Sequence, residues 1–240
     1  MKNKLFQKIK HYETIDSTNL EAKRVLKSNN LDSNSVIVAE TQTNGMGRRH
    51  NRWYSAQGGL WCSLLLKGQI FQSNITLFTG IILHKALGEF IPNSPLKIKW
   101  PNDILWNNKK LAGILTETSH ASTIIGVGVN LNQTKLEPKI KKIATSTKIA
   151  TNKCIDKNTF LKMFLNKFTE QFNHYSQNNL QHFLQYYHNN SYLTTKLCRI
   201  KTEKSQITGV VEGIDNDGAL VIKVDDERDR IISAVKIEIL

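Results

Sequence analysis

Three short polar clusters carry the residue types that chemistry needs, and each stands between runs that read as buried elements. The first, GMGRRHNRW at 45–53, sets Gly45 and Gly47 beside Arg48, Arg49 and Arg52. Glycines let backbone N–H groups converge on an anion, and guanidinium groups grip phosphate oxygens through paired donors, so the segment suits a phosphate or an acyl phosphate. An Arg-rich loop is equally a solvated or a nucleic-acid-binding loop, and the segment by itself leaves that open. The second cluster, KWPND at 99–103, crowds Lys99, Asn102 and Asp103 around a rigid Trp-Pro pair. A carboxylate beside an amide can orient a lysine or a metal-bound water, or simply close a turn. In the third, KLAGIL at 110–115, Lys110 opens an apolar run. A lysine inside a site is a compact cation for a carboxylate or a phosphate.

These clusters need a scaffold, and the flanking patterns supply one. In DSTN at 16–19, Thr18 with Glu21 three residues on has the form of a capping box, which predicts a helix through about Ser28. The β-branched run at 36–39 predicts a strand, and the segment at 41–59 a long loop. Residues 60–66 read as a strand and 75–90 as a helix, with Leu77, Phe78, Ile81, Ile82, Leu87 and Phe90 at helical spacing. Short strands follow at 96–100, 104–106 and 110–116, the last two joined by a turn at Asn107-Asn108. Another is expected at 124–131, where Gly126 and Gly128 allow close approach of a backbone or a ligand. The stretch 139–153 has five lysines and no acid and reads as surface connection. Helices are predicted at 158–175, on a Phe stripe that belongs to a core, and at 180–187. From Lys196 the pattern is strand-like at 197–201, 206–214, 219–224 and 231–239, which implies a small β-barrel. The sequence shows no internal repeat.

Composition bounds the function classes. A chain of 240 residues with 40% hydrophobic content can bury one core plus a small appended domain. No run approaches the ~18 apolar residues of a membrane span, and the N-terminal segment lacks the apolar core of a secretory signal, so a cytoplasmic protein without a membrane partner is expected. Cys62, Cys154 and Cys198 are odd in number and form no C-x-x-C pair, so they are expected to be buried or semi-buried thiols rather than a zinc site. A net charge of +13 fits nucleic acid, an anionic membrane or an acidic protein partner. Its sign does not choose among them.

Taken together and in order, the clusters resemble the signature of biotin protein ligases. The matching segments are DSTN at 16–19, AETQTNG at 39–45, GRR at 47–49, KWPND at 99–103, KLAGIL at 110–115, GVGVNL at 126–131, ATS at 144–146 and GIDNDGAL at 213–220. They cover nearly the whole chain, and KWPND followed seven residues later by KLAGIL is the most specific part. The resemblance implies an α+β fold: a mixed β-sheet with flanking helices, class II synthetase-like and shared with lipoate ligases, then a C-terminal SH3-like β-barrel. The implied domains are 1–190 and 196–240. It further implies ATP and biotin as substrates with Mg²⁺, formation of biotinyl-5′-AMP, and transfer of biotin to a lysine of biotin carboxyl carrier protein.

By the same resemblance Lys110, Arg48 and Asp103 are the catalytic residues. Ser17, Thr18, Asn19, Gln42, Met46 and Gly47, with Arg48 and Lys110, are expected to bind biotin. Arg48, Arg49, Trp53, Lys99, Asn102 and Asn130 are expected to bind ATP. The sequence departs from the family pattern at Met46, where Arg is usual, and at His50-Asn51, where Gly-Arg is usual. Losing two arginine forks should weaken retention of the adenylate or shift the task to Arg52. Fifteen residues precede Asp16, too few for a helix-turn-helix domain, so no specific DNA binding is expected. A homodimer paired through sheet edges is compatible with the sequence. The alternatives are a lipoate or octanoate ligase, which would not be expected to carry KWPND with KLAGIL, and a basic nucleic-acid-binding protein, whose binding would be steeply salt dependent.

Overall fold

The computed structural model describes residues 5–28 and 33–240. Its first sheet is built from seven strands: β1 (Lys8–Ile15), β2 (Ser35–Gln42), β3 (Leu60–Leu66), β4 (Leu96–Lys99), β5 (Asp103–Trp106), β6 (Lys109–Ser119) and β7 (Ser122–Val129). Their order is β1-β2-β3-β7-β6-β5-β4, parallel between β1 and β2 and antiparallel elsewhere. The helices are α1 (Thr18–Lys27), α2 (Ile75–Phe90), α3 (Thr147–Thr151), α4 (Lys157–Asn178) and α5 (Leu184–Asn190). A second sheet of β8 (Leu197–Lys201), β9 (Gln206–Ile214), β10 (Leu220–Val224), β11 (Glu227–Ile231) and β12 (Lys236–Ile239) runs in the order β11-β10-β9-β8-β12, the C-terminal SH3-like unit. No helix among the described residues is long and apolar enough to cross a membrane.

The strand β3 lies between β2 and β7, covered on both faces, and its sequence LWCSLLL is buried at every position. That is why it reads as a continuous apolar run rather than an alternating one. On one face α2 and α4 cover the sheet. The stripe Phe160, Phe164, Phe168 and Phe172 repeats at one residue per helical turn, and Tyr175 stacks on Phe78 of α2 with ring centroids 4.5 Å apart. On the other face the shorter α1 buries Ala22, Val25 and Leu26 against Ile37, Leu65 and Ile124. Because α1 covers only one end of that face, the rest of it is available for a site.

The second sheet is not hung on a free linker. Trp100 donates from its indole nitrogen to the carbonyl of Gly218 at 2.9 Å, the Tyr192 N–H bonds the Ile98 carbonyl, and one core continues from β4 into Cys198, Ile200 and Leu220.

Several expectations are corrected here. The parallel strand β1 was not foreseen, since its solvent-facing KIKHYETI pattern has little apolar alternation. Helix α1 starts one residue earlier than the capping box implied. Ser17 is its N-cap, the Thr18 hydroxyl serves Gln42 instead, and Glu21 bonds Tyr12 and Arg24. The lysine-rich 139–153 stretch is surface only in part, because Ala144, Thr145, Ser146 and Thr147 are buried and Ala144 bridges to Lys110. The expected strand at 231–239 is broken into the end of β11 and β12, separated at 232–235. Cys154 is exposed, whereas Cys62 and Cys198 are buried.

Candidate active site

A cleft of about 260 Å³ opens over the sheet beside α1. Its floor is made of glycines. A Cβ on Gly113 or Gly128 would stand 2.9 or 2.6 Å from the Trp53 ring, and one on Gly126 would stand 2.4 Å from Asn19 Oδ1. The bare strands β6 and β7 therefore admit two side chains from distant parts of the chain, an indole from the 43–59 loop and an amide from α1. Trp53 meets Trp61 edge-on at 6.3 Å, which fixes the indole plane.

Lys110 reaches the cleft through a β-bulge. The pairing of β5 with β6 is regular at Asp103↔Gly113 and Ile104↔Ala112, then shifts to Leu105↔Lys110. The extra residue leaves Leu111 and Ala112 both in the core and turns Lys110 to the face of Gly113, where an unbroken ladder would have put it beside Ala112. There the ammonium pairs with Asp103 at 2.7 Å and lies 5.0 Å from the centroid of Trp53. A cation, a carboxylate and an aromatic face are thus held together at the centre of the cleft.

At one end stand Ser17, Thr18 and Asn19, all buried, at the mouth of α1. Gln42 at the end of β2 accepts from the Thr18 N–H at 2.8 Å and donates to Ser55 Oγ at 2.7 Å, which fixes the orientation of its amide. The positive end of α1 is offset by Asp16, whose carboxylate takes both terminal nitrogens of Arg24 at 2.8 and 2.7 Å and lies below the usual carboxylate range through that bond. Beneath, Cys62 lies on the cleft wall with its thiol pushed up to about 12 by burial, so it stays protonated and unreactive.

At the other end the 45–53 loop folds over the cleft. The Gly47 N–H bonds the Asn51 carbonyl at 2.7 Å, Met46 bridges to Arg52, and Trp53 N–H bonds Gly45 O. Arg49 and His50 both take positive φ, 55° and 60°. His50 stands where the family pattern has glycine, so this chain meets a left-handed turn with a side chain in place. Arg48 crosses to Asn102, donating to its Oδ1 at 3.2 Å, while Asn102 donates to the Ile114 carbonyl at 2.9 Å. Burial, and then the neighbouring Arg49, push the Arg48 guanidinium below its ordinary value, with Asp103 opposing them. A second cavity of about 390 Å³ adjoins the first, with Arg48 and Asn102 in the wall between them.

The structure brings Ser17, Thr18, Asn19, Gln42, Met46, Gly47, Arg48, Arg49, Trp53, Asn102, Asp103 and Lys110 to the one cleft. It sets Lys99 and Asn130 apart from its lining. Lys99 points at the Tyr192 ring, 5.9 Å away, and the Asn130 amide donates to Thr145 O at 2.9 Å, tying the 144–147 segment to the end of β7. The reading missed Ala234 and Val235, which line the cleft from the break between β11 and β12. Nothing in that apolar stretch distinguishes a lining from a strand. Ser63, which bonds Asn19, was also missed, although its polarity inside the apolar strand β3 was an available signal, and so was Glu117, which stands among the polar residues at the end of β6 and offers no such signal.

Sequence comparison places this geometry among known proteins. The profile described as the biotin/lipoate A/B protein ligase family matches residues 12–133, and that of the biotin protein ligase C terminal domain matches 196–235. The chain is 30% identical over 239 residues to the bifunctional ligase/repressor BirA of Bacillus subtilis, covering 95% of this chain and 73% of that one. To the biotin–[acetyl-CoA-carboxylase] ligase of Paracoccus denitrificans it is 29% identical over 229 residues, 87% of this chain and 91% of that one. Among solved structures, the biotin protein ligase of Aquifex aeolicus in complex with biotin and ATP superposes with a TM-score of 0.87 at 28% identity, covering 98% of this chain and 100% of that one.

Proposed function

Because the chain belongs to the biotin/lipoate A/B protein ligase family, we propose that its cleft carries out ATP-dependent biotinylation of an acceptor protein. The observation that carries this reading is Lys110, aimed by a β-bulge to the centre of the cleft and held there by Asp103 and Trp53. Activating a carboxylic acid requires two anions to meet: a biotin carboxylate oxygen attacks the α-phosphorus of ATP, and pyrophosphate leaves. Lys110 neutralises the charge that gathers between them, and Arg48 and Arg49 hold the phosphate from above. Lys110 is already held by Asp103 and Trp53 before the reaction begins.

The buried Ser17, Thr18 and Asn19 and the half-buried Gln42 take the polar ring of biotin, and the adenine lies against Trp53. The mixed anhydride is open to water, and closure of the 45–53 loop protects it. In the second half-reaction an acceptor lysine amine attacks the acyl carbon, loses its proton and displaces AMP. Asp103 is the carboxylate in the cleft lining and is placed to receive or orient that amine. One carboxylate is no cage for a metal ion. Mg²⁺ would arrive with the nucleotide, Asp103 would be the side chain of the cleft to hold it, and it would supply charge neutralisation. The acceptor is read as a biotin carboxyl carrier protein, a reading supported by the name of the Paracoccus relative.

Biotin-dependent exchange of labelled pyrophosphate into ATP tests the proposal, with lipoate and octanoate as controls. Exchange with biotin alone, reduced at least a hundredfold in Lys110→Ala, is the expected result, since one preorganised charge is worth ~10²–10³ in rate. Exchange with no acid, or equal rates with all three, overturns it.

A further inference from the structure

The C-terminal sheet ends in a strand edge that is its own chemical complement. Among the described residues β12 pairs with β8 alone, and the order β11-β10-β9-β8-β12 leaves its other side without a strand. The Leu240 N–H bonds the Leu197 carbonyl. By the alternation of an antiparallel ladder, Lys236, Glu238 and Leu240 then turn their backbone groups to β8, and Ile237 and Ile239 turn theirs outward. Val235, Ile239 and Leu240 are 45%, 41% and 52% exposed. The strand, KIEI, has no proline, and its one lysine and one glutamate cancel, so nothing in it blunts the edge against another strand. The other edges are protected. In β11 Arg228 is engaged by Glu212, and Arg230 by Asp215 and Asp217, a row of charges that resists pairing. In β1 the bases Lys8 and Lys10 stand an odd number of residues from Glu13, and bonded antiparallel copies bring only residues of equal parity face to face.

We propose that β12 is the contact between two copies of this chain, paired antiparallel about a twofold axis through Ile237. That register sets the outward backbone groups of Ile237 against those of its own copy, Lys236 opposite Glu238 of the second copy, and Ile239 opposite Val235. The bonded registers on either side of it set Lys236 opposite Lys236 or Glu238 opposite Glu238, so the charges select the one centred on Ile237. Lys236 has reason to gain such a neighbour. On β8 it stands opposite Lys201, a like charge, and an acid arriving across the free edge offsets that repulsion. The pairing also covers the exposed Val235 and Ile239, and because Val235 lines the cleft, each copy's strand end borders the cleft of the other. A contact of so few residues is smaller than a standard interface, and the net charge of +13 opposes it at low salt. The dimer is therefore weak, with a Kd of about 10–100 μM at physiological ionic strength.

Sedimentation velocity of the full chain, from about 1 to 500 μM at physiological ionic strength, tests the proposal, with Lys236→Glu and Glu238→Lys beside wild type. Both positions lie outside the cleft lining, and thermal melts first check that the variants fold. The expected result is a monomer–dimer equilibrium in wild type that each variant weakens about tenfold, since like charges then face each other at two symmetric places. An equimolar mixture of the two variants should regain wild-type association, because the acids of one face the lysines of the other. Should one variant not fold, the double variant Lys236→Glu/Glu238→Lys takes the place of the mixture, and wild-type association is again expected of it. Wild type that stays monomeric throughout overturns the proposal. So does undiminished association in a single variant, which puts the contact elsewhere, or a mixture that associates no better than its components, which excludes the register.

Discussion

Arg48 does two things at once in this structure: it walls the cleft and it ties the 45–53 loop to Asn102 across 3.2 Å. Its partly desolvated guanidinium has a strong call on an anion, which is the condition for holding an acyl phosphate. Arg48→Gly removes the charge and loosens the tie. The expected outcome is continued adenylate formation with rapid release, seen as biotin attached to lysines of bystander proteins, by streptavidin blot. Adenylate retained at the wild-type level would contradict the role given to Arg48. The neighbours Met46, His50 and Asn51 replace residues that the family pattern would make Arg, Gly and Arg, so the loop's positive charge here rests on Arg48, Arg49 and Arg52, all three in the cleft lining. At this scale the sequence was readable in which residues gather at the cleft, Lys110 among them. It was not where contact decides. Lys99, expected at the nucleotide, points at Tyr192 outside the lining, and the Asn130 side chain donates from its amide nitrogen to Thr145 O.

Among the elements, β6 and β7 do the positioning, and they do it with omitted side chains. Gly128 faces the Trp53 indole so closely that a methyl group there would meet the ring at 2.6 Å. Gly128→Ala should displace Trp53, lower stability by about 1–3 kcal/mol, and weaken ATP binding at least severalfold while biotin binding is nearly preserved. Denaturant unfolding together with calorimetric titration of each ligand checks this; unchanged ATP affinity would remove Trp53 from the nucleotide's contacts. The β3 strand and the helices α2 and α4 were legible because burial on one or all sides dictates a periodic or continuous apolar pattern. The β1 strand was not legible, because an edge strand exposed to solvent needs no such pattern. The β-bulge at Leu111 was hidden for a related reason: Leu111 and Ala112 are both apolar, and alternation cannot reveal which of two consecutive apolar residues is the extra one.

For the whole molecule the governing quantity is the net charge of +13. Most of that charge lies away from the cleft and concerns association rather than fold. If it serves to draw in an acidic carrier domain, biotinylation of that carrier should slow several-fold between low and physiological ionic strength, with the pyrophosphate exchange reaction changing much less. Carrier biotinylation insensitive to salt would detach the charge from the acceptor step. The second sheet takes part at this scale as well, since it is joined to the first through Trp100 and Gly218 and lends Ala234 and Val235 to the cleft.

That last contribution bears on the order in which the protein comes together. The lining of the cleft runs from Ser17 to Val235, so its two margins meet only by closing a contour of more than two hundred residues. Contacts so distant in sequence form late, after local helices and hairpins have paid their loop-closure entropy. A cleft with both margins in place is therefore a property of the finished chain.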